Sequence, residues 1–144
     1  MNLIVLKADG SWYTRPDSTL CRVREDFFLP EEFESAEIRK CLYLRVARAG
    51  KAILPKFAGR YLEPLCEGYL FYGIDGEGWR CPYIDRSTVL EEDRRASLPD
   101  EETIGRICEV SSVMTLRRGD LAIIESQDCS ILRQGDTFET IEIK

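Results

Sequence analysis

The sequence predicts a mainly β fold with two short helices. Three observations carry this: short alternating or continuous apolar runs recur along the chain, Gly, Pro and Asp turn pairs close most of them, and only two stretches show helical spacing. The 144 residues fit one domain, residues 1–144. A chain of this length can bury roughly 70% of its unfolded surface without disulfide or metal staples.

Leu3 to Leu6 is an apolar run ending at the turn pair Asp9-Gly10, an opening strand and turn. Trp12-Tyr13 starts a second strand that Pro16-Asp17 stops. Phe27-Phe28-Leu29-Pro30 is a compact apolar cluster, and the acids after it, Glu31, Glu32, Glu34 and Glu37, are expected at the surface. From Ile38 to Ala47 the residues alternate, with Leu42, Leu44 and Val46 on one side and Cys41, Tyr43 and Arg45 on the other. Pro55 can open a helix of about two to three turns in which Phe57, Tyr61, Leu62 and Leu65 share a face, with Pro64 at its end. Tyr69 to Ile74 is short and apolar enough for a buried strand, closed by Asp75-Gly76. Asp85 to Asp100, with Glu91, Glu92, Asp93, Arg94 and Arg95, reads as an exposed connection. Pro99 and the acids Asp100 to Glu102 announce a second helix presenting Ile104, Ile107, Cys108 and Ser111. Leu116 to Asp120 is a turn, Leu121 to Ile124 a strand, Gln134-Gly135-Asp136 a turn, and Phe138 to Ile143 a closing strand.

Composition excludes several classes of function. A formal charge of -6 disfavours nucleic acid, whose affinity comes from Lys and Arg displacing counterions; the pairs Arg94-Arg95 and Arg117-Arg118 lie among acids and read as solvated surface. No apolar run approaches a membrane span, and Met1 to Leu6 lacks the features of a secretory signal, so the cytoplasm is expected. The six cysteines, at 21, 41, 66, 81, 108 and 129, are unevenly spaced and expected as reduced, mostly buried thiols. With no histidine and no Cys-x-x-Cys pair, a zinc site and every Ser-His-Asp or Cys-His arrangement drop out.

Four segments, read in order, resemble the small bacterial fumarylacetoacetate hydrolase superfamily, of the acylpyruvase and 2-hydroxyhepta-2,4-diene-1,7-dioate isomerase type. They are Arg15-Pro-Asp-Ser-Thr-Leu20 with Phe28-Leu-Pro30; Leu44 to Ile53 around Gly50-Lys51; Lys56-Phe-Ala-Gly-Arg-Tyr61 leading to Tyr72-Gly-Ile-Asp75; and Met114-Thr-Leu-Arg-Arg-Gly-Asp-Leu121 with Gln134-Gly-Asp136. Singly each is weak, but their order and spacing carry the resemblance. It implies a mixed β-sheet roll or barrel with two short helices, and a homodimer.

The resemblance also implies one Mg or Mn ion held by a Glu-x-Glu pair on a strand and an aspartate at the end of another, polarising a 1,3-dicarbonyl or 2-oxo acid. In this chain the Glu-x-Glu positions fall on Cys41 and Tyr43, so Asp75 alone remains, and neither a bound metal nor any cofactor is expected. The family's lysine falls near Pro82, its substrate-contacting Gly-Thr-Pro loop is replaced by Glu125-Ser126-Gln127, and its N-terminal loop is lacking between Leu6 and Trp12. The expected protein is a degenerate, non-catalytic binding or regulatory module with no catalytic residues assigned. Its candidate pocket comprises Cys41, Tyr43, Asp75, Arg80 and Asp85, and its ligand is a small organic acid matched by arginine. The alternative is a residual hydrolase, decarboxylase or isomerase of 2-oxo acids or acylpyruvates, with Arg80 or Arg45 as electrophile and Asp75 or Glu77 as base.

Overall fold

The computed structural model of the chain describes residues 1–21, 29–95 and 98–135, the side chains of 92–95 excepted. The expected strand Phe138 to Ile143, the turn residue Asp136 and the Phe27-Phe28 half of the apolar cluster lie outside the described residues. Among the described residues the strands are β1 (Leu3–Leu6), β2 (Trp12–Arg15), β3 (Leu20–Cys21), β4 (Ser35–Arg45), β5 (Cys66–Ile74), β6 (Arg80–Cys81), β7 (Thr88–Arg95) and β8 (Leu121–Arg133), with one α-helix, α1 (Glu101–Val113), between β7 and β8. All eight strands join one sheet in the order β2-β1-β8-β4-β5-β7-β3, with β6 paired to β5. The sheet is mixed, because β1 runs parallel to β8 and β3 parallel to β7 while the other pairs are antiparallel. It curls into a half-barrel, as expected.

The two faces follow from the period of two along β4. Leu42, Leu44 and Val46 point outward and pack with Ile4, Leu6 and Ala122 under α1, which contributes Ile107, Cys108 and Val110. Cys41 and Tyr43 point inward and meet Leu3, Val5, Leu70, Leu121 and Ile123 inside the half-barrel. A third cluster, Phe33, Ala36, Ile38, Phe71, Ile84 and Leu132, covers the far end of the outer face.

Helix α1 starts where the acids place it. Asp100 caps it by accepting a hydrogen bond from the Thr103 backbone N–H at 2.8 Å, and Glu101 and Glu102 in the first turn suit the positive end of the helix. Near its other end the buried Ser111 Oγ accepts from the Ile53 N–H at 3.0 Å, clamping the preceding connection onto the helix. The Gly119-Asp120 turn is equally specific: Gly119 takes a φ of 93°, which suits glycine. The buried Asp120 carboxylate accepts from the backbone N–H groups of Asn2 and Arg117 at 2.9 and 2.8 Å.

Four expectations are corrected. The helix after Pro55 is a 3₁₀ turn, Pro55–Arg60, because the chain must return by Leu62, which bridges to Val46, and enter β5 at Cys66. The charged stretch after Asp85 contains β7, an eight-residue strand; pairing with β5 and β3 outweighs its polar composition. Strand β8 runs on to Arg133 instead of stopping at Ile124. Glu37 is buried at 9% exposure, within β4.

Candidate functional site

The inner face of the half-barrel carries a buried polar chain at one end. In β2, Tyr13 and Arg15 lie two apart and oppose Val5 and Leu3, whose side chains point inward. Arg15 is only 1% exposed. Its Nε–H donates to Tyr13 Oη at 2.9 Å, Nη1 donates to Ser87 Oγ at 3.0 Å and Thr88 Oγ1 at 3.3 Å, and Nη2 donates to the Phe71 carbonyl at 3.2 Å. Tyr13 Oη in turn bonds Tyr72 Oη at 2.8 Å, and Tyr72 Oη donates to the buried Glu125 Oε2. The direction is fixed, because a guanidinium can only donate and an ionised carboxylate can only accept. Each phenol therefore passes its hydrogen toward Glu125, and a buried charge pair is linked through two hydroxyls.

Beside this chain lies a second set of charges. The two-residue period places Glu37 and Arg39 on one face of β4, and Arg39 Nε donates to Glu37 Oε1. Arg39 also reaches Glu125 Oε1 at 3.5 Å and donates from Nη1 to the Ser126 carbonyl at 3.1 Å. That carbonyl is available because the β4–β8 register shifts between Arg39 and Cys41, so Ser126 to Asp128 bulge from β8. Arg80, opposite Ile74 on β6, stacks over the Tyr72 ring with its guanidinium carbon 4.3 Å from the ring centroid. Its Nε lies 2.9 Å from Glu37 Oε2, near enough to pair electrostatically but out of line for a hydrogen bond. Its Nη2 is buried with no hydrogen-bond partner among the described residues.

Among the described residues three guanidiniums, from Arg15, Arg39 and Arg80, thus face two carboxylates, Glu37 and Glu125, and one positive charge is left over. Burial pushes the Tyr72 and Tyr13 hydroxyls above the ordinary 10.0, and burial pushes the Cys41 thiol far above 9.0. All three stay protonated near neutrality.

The five candidate pocket residues do not converge. Cys41 opposes Gly68, seven residues before Asp75, which at the rise of an extended strand is roughly 23 Å. Cys41 and Tyr43 sit among inner-face hydrocarbon. Asp75 and Asp85 lie elsewhere, lining an open pocket of about 720 Å³ with Trp79, Tyr83 and Phe33. Asp75 Oδ1 is engaged in its own turn, accepting from the N–H groups of Glu77 and Trp79, each at 2.9 Å. Arg80 joins the inner charge cluster.

Neither possible donor set fits a small divalent cation. Cys41 and Tyr43 offer a neutral thiol and a buried phenol. The register instead brings Ser35 and Glu37 to the end of β5 that leads into Asp75, but Glu37 is already held between two guanidiniums, whose charge repels a metal ion. Among the described residues no group of three His, Cys, Asp or Glu side chains could hold a metal.

Arg15, Tyr13, Tyr72, Glu37, Arg39 and Glu125 were not among the expected pocket residues. Tyr13-x-Arg15 and Glu37-x-Arg39 each place a polar pair on one strand face, a signal readable from period two alone. Glu37 was hidden by its place in an acidic run, and Glu125 by the bulge that re-registers β8.

No protein-family model and no curated protein matches the sequence. The fold does match solved structures. A fumarylacetoacetate hydrolase family protein from Yersinia pestis CO92 superposes with a TM-score of 0.66 at 14% identity, over 94% of this chain and 90% of that one. The 2-hydroxyhepta-2,4-diene-1,7-dioate isomerase of Mycobacterium marinum gives 0.72 at 15% identity, over 94% and 71%. Maleylpyruvate hydrolase from Sphingobium sp. SYK-6 gives 0.68 at 12%, over 94% and 63%. The chain therefore has the fumarylacetoacetate hydrolase-like fold that its segments resemble. No helix among the described residues is long and apolar enough to cross a membrane.

Proposed function

We propose that, on this fumarylacetoacetate hydrolase-like scaffold, the protein is a non-catalytic module that binds a small organic acid through guanidinium groups in place of a metal ion. The observation that carries the reading is Arg80: a buried guanidinium nitrogen without a partner among the described residues, in a cluster whose described positive charges exceed its negative ones by one. A buried donor left unmatched costs about 1–3 kcal/mol, and a carboxylate oxygen supplies the missing acceptor. Tyr72 and Arg39 fix the position of Arg80 and of its counter-ion Glu37, so the donor is preorganised.

The residues available for catalysis favour binding over turnover. Glu77 is exposed on a turn, the Asp75 carboxylate is spent on backbone N–H groups, and the Cys41 thiol is held protonated by burial. Among the described residues no general base thus stands beside Arg80 except carboxylates already paired to arginine. Thermal-shift measurements with Mg and Mn salts, combined with a spectrophotometric assay on acylpyruvates, test this directly. No metal-dependent rise in melting temperature and no turnover are expected; millimolar Mg or Mn that both stabilises the fold and supports acylpyruvate cleavage would overturn the reading.

A further inference from the structure

The pocket that Asp75 and Asp85 line lies on the opposite face of β5 from the arginine cluster, and its chemistry is of the opposite sign. The strand period shows this: Tyr72, Ile74 and the paired Arg80 face inward, whereas Gly73 and its partner Cys81 face outward. Gly73 has no side chain to fill the space, and a Cβ there would stand 2.6 Å from Ile84 Cδ1 and 2.9 Å from the Phe33 ring. Those two side chains close over the bare strand and form an apolar floor. The walls carry Glu32, Asp75 and Asp85 against the single cation Arg86. Glu32 and Asp85 make no hydrogen bond or ion pair with any described residue. At the rim stand two large aromatic side chains left in solvent, Trp79 at 59% and Tyr83 at 55% exposure.

We infer that this pocket, of about 720 Å³, is a second ligand site, and that it takes a small organic cation such as an alkyl or quaternary ammonium group. Its volume falls in the range of small-molecule sites. Two aromatic faces attract a cation through their quadrupoles, unpaired carboxylates supply the counter-charge, and an apolar floor receives the alkyl groups that a hydrated metal ion lacks. An anionic ligand would meet three carboxylates and one guanidinium there, so the pocket and the Arg80 cluster select different molecules.

The test uses the full chain carrying Trp12→Phe, which leaves Trp79 as the only tryptophan. Choline chloride is titrated against its intrinsic fluorescence at constant ionic strength, with sodium chloride as control. A saturable change in the millimolar range or below is expected with choline alone. It should weaken about tenfold in Glu32→Gln/Asp85→Asn and again when Tyr83 becomes Leu, where loss of one ring costs a cation–π contact. Arg118→Gln, an exposed cation on the turn before β8, should leave the choline response unchanged. No saturable response, an equal response to sodium, or an undiminished affinity in correctly folded Glu32→Gln/Asp85→Asn would overturn the assignment.

Discussion

Replacing Arg15 by Met tests whether the buried polar chain holds the half-barrel together. Methionine keeps much of the unbranched stem but removes every donor. The Phe71 carbonyl loses the Arg15 donor at 3.2 Å, the Ser87 carbonyl loses a 3.3 Å contact but keeps the Phe71 N–H at 2.8 Å, and the Ser87 and Thr88 hydroxyls can turn to other acceptors. A carbonyl left short of a donor costs about 1–3 kcal/mol, while Glu125 keeps Arg39 beside it at 3.5 Å. The desolvation cost of the guanidinium is recovered at the same time, so the net loss should be about 1–3 kcal/mol. With a urea slope of about 2 kcal/mol/M this moves the unfolding midpoint down by roughly 1 M. An Arg15→Met protein within about 0.5 kcal/mol of the parent by urea denaturation would refute the reasoning.

Three further outcomes follow from the same structure. Burial raises the Tyr72 and Tyr13 hydroxyls above 10.0, so their contribution to stability is complete below about pH 10 and falls as pH climbs beyond it, by up to about 1.4 kcal/mol per pH unit for each. A tyrosinate absorbance titration should show at least two of the six tyrosines ionising only as the protein unfolds, and Tyr72→Phe should flatten the alkaline loss; six simple titrations near pH 10 would contradict this. A Gly68→Ala change puts a Cβ 2.6 Å from the Val89 carbonyl oxygen, so β5 and β7 must part and stability should drop by about 1–3 kcal/mol in denaturant unfolding. With a thiol reagent at neutral pH, exposed Cys129 should react first and buried Cys41 only on unfolding; mass mapping of the labelled peptides reads the order.

Much of the fold was legible because its strands obey local rules. The alternation from Cys41 to Val46 sorts the inner and outer faces of β4, and Asp100 to Glu102 place the start of α1 within a residue. The charged strand β7 was not legible, since its pairing to β5 and to the two-residue strand β3 is a long-range property that its own composition opposes. The 3₁₀ turn at Pro55–Arg60 was missed for a related reason: helical spacing says nothing of where the chain must go next. At the site, residue types were readable but register was not. Cys41 and Asp75 are compatible in one pocket until β4 is aligned on β5, and only that alignment separates them by seven residues and brings Glu37, Tyr72 and Arg80 together.

Isothermal titration of a small 2-oxo acid such as pyruvate, run in excess EDTA and again with millimolar Mg, tests the guanidinium-centred site most directly. Equal affinity in both conditions is expected, with a loss of roughly tenfold or more in Arg80→Leu, as removal of a charge-assisted hydrogen bond of about 1.5–3 kcal/mol requires. Binding that appears only with Mg and survives the loss of Arg80 would contradict it.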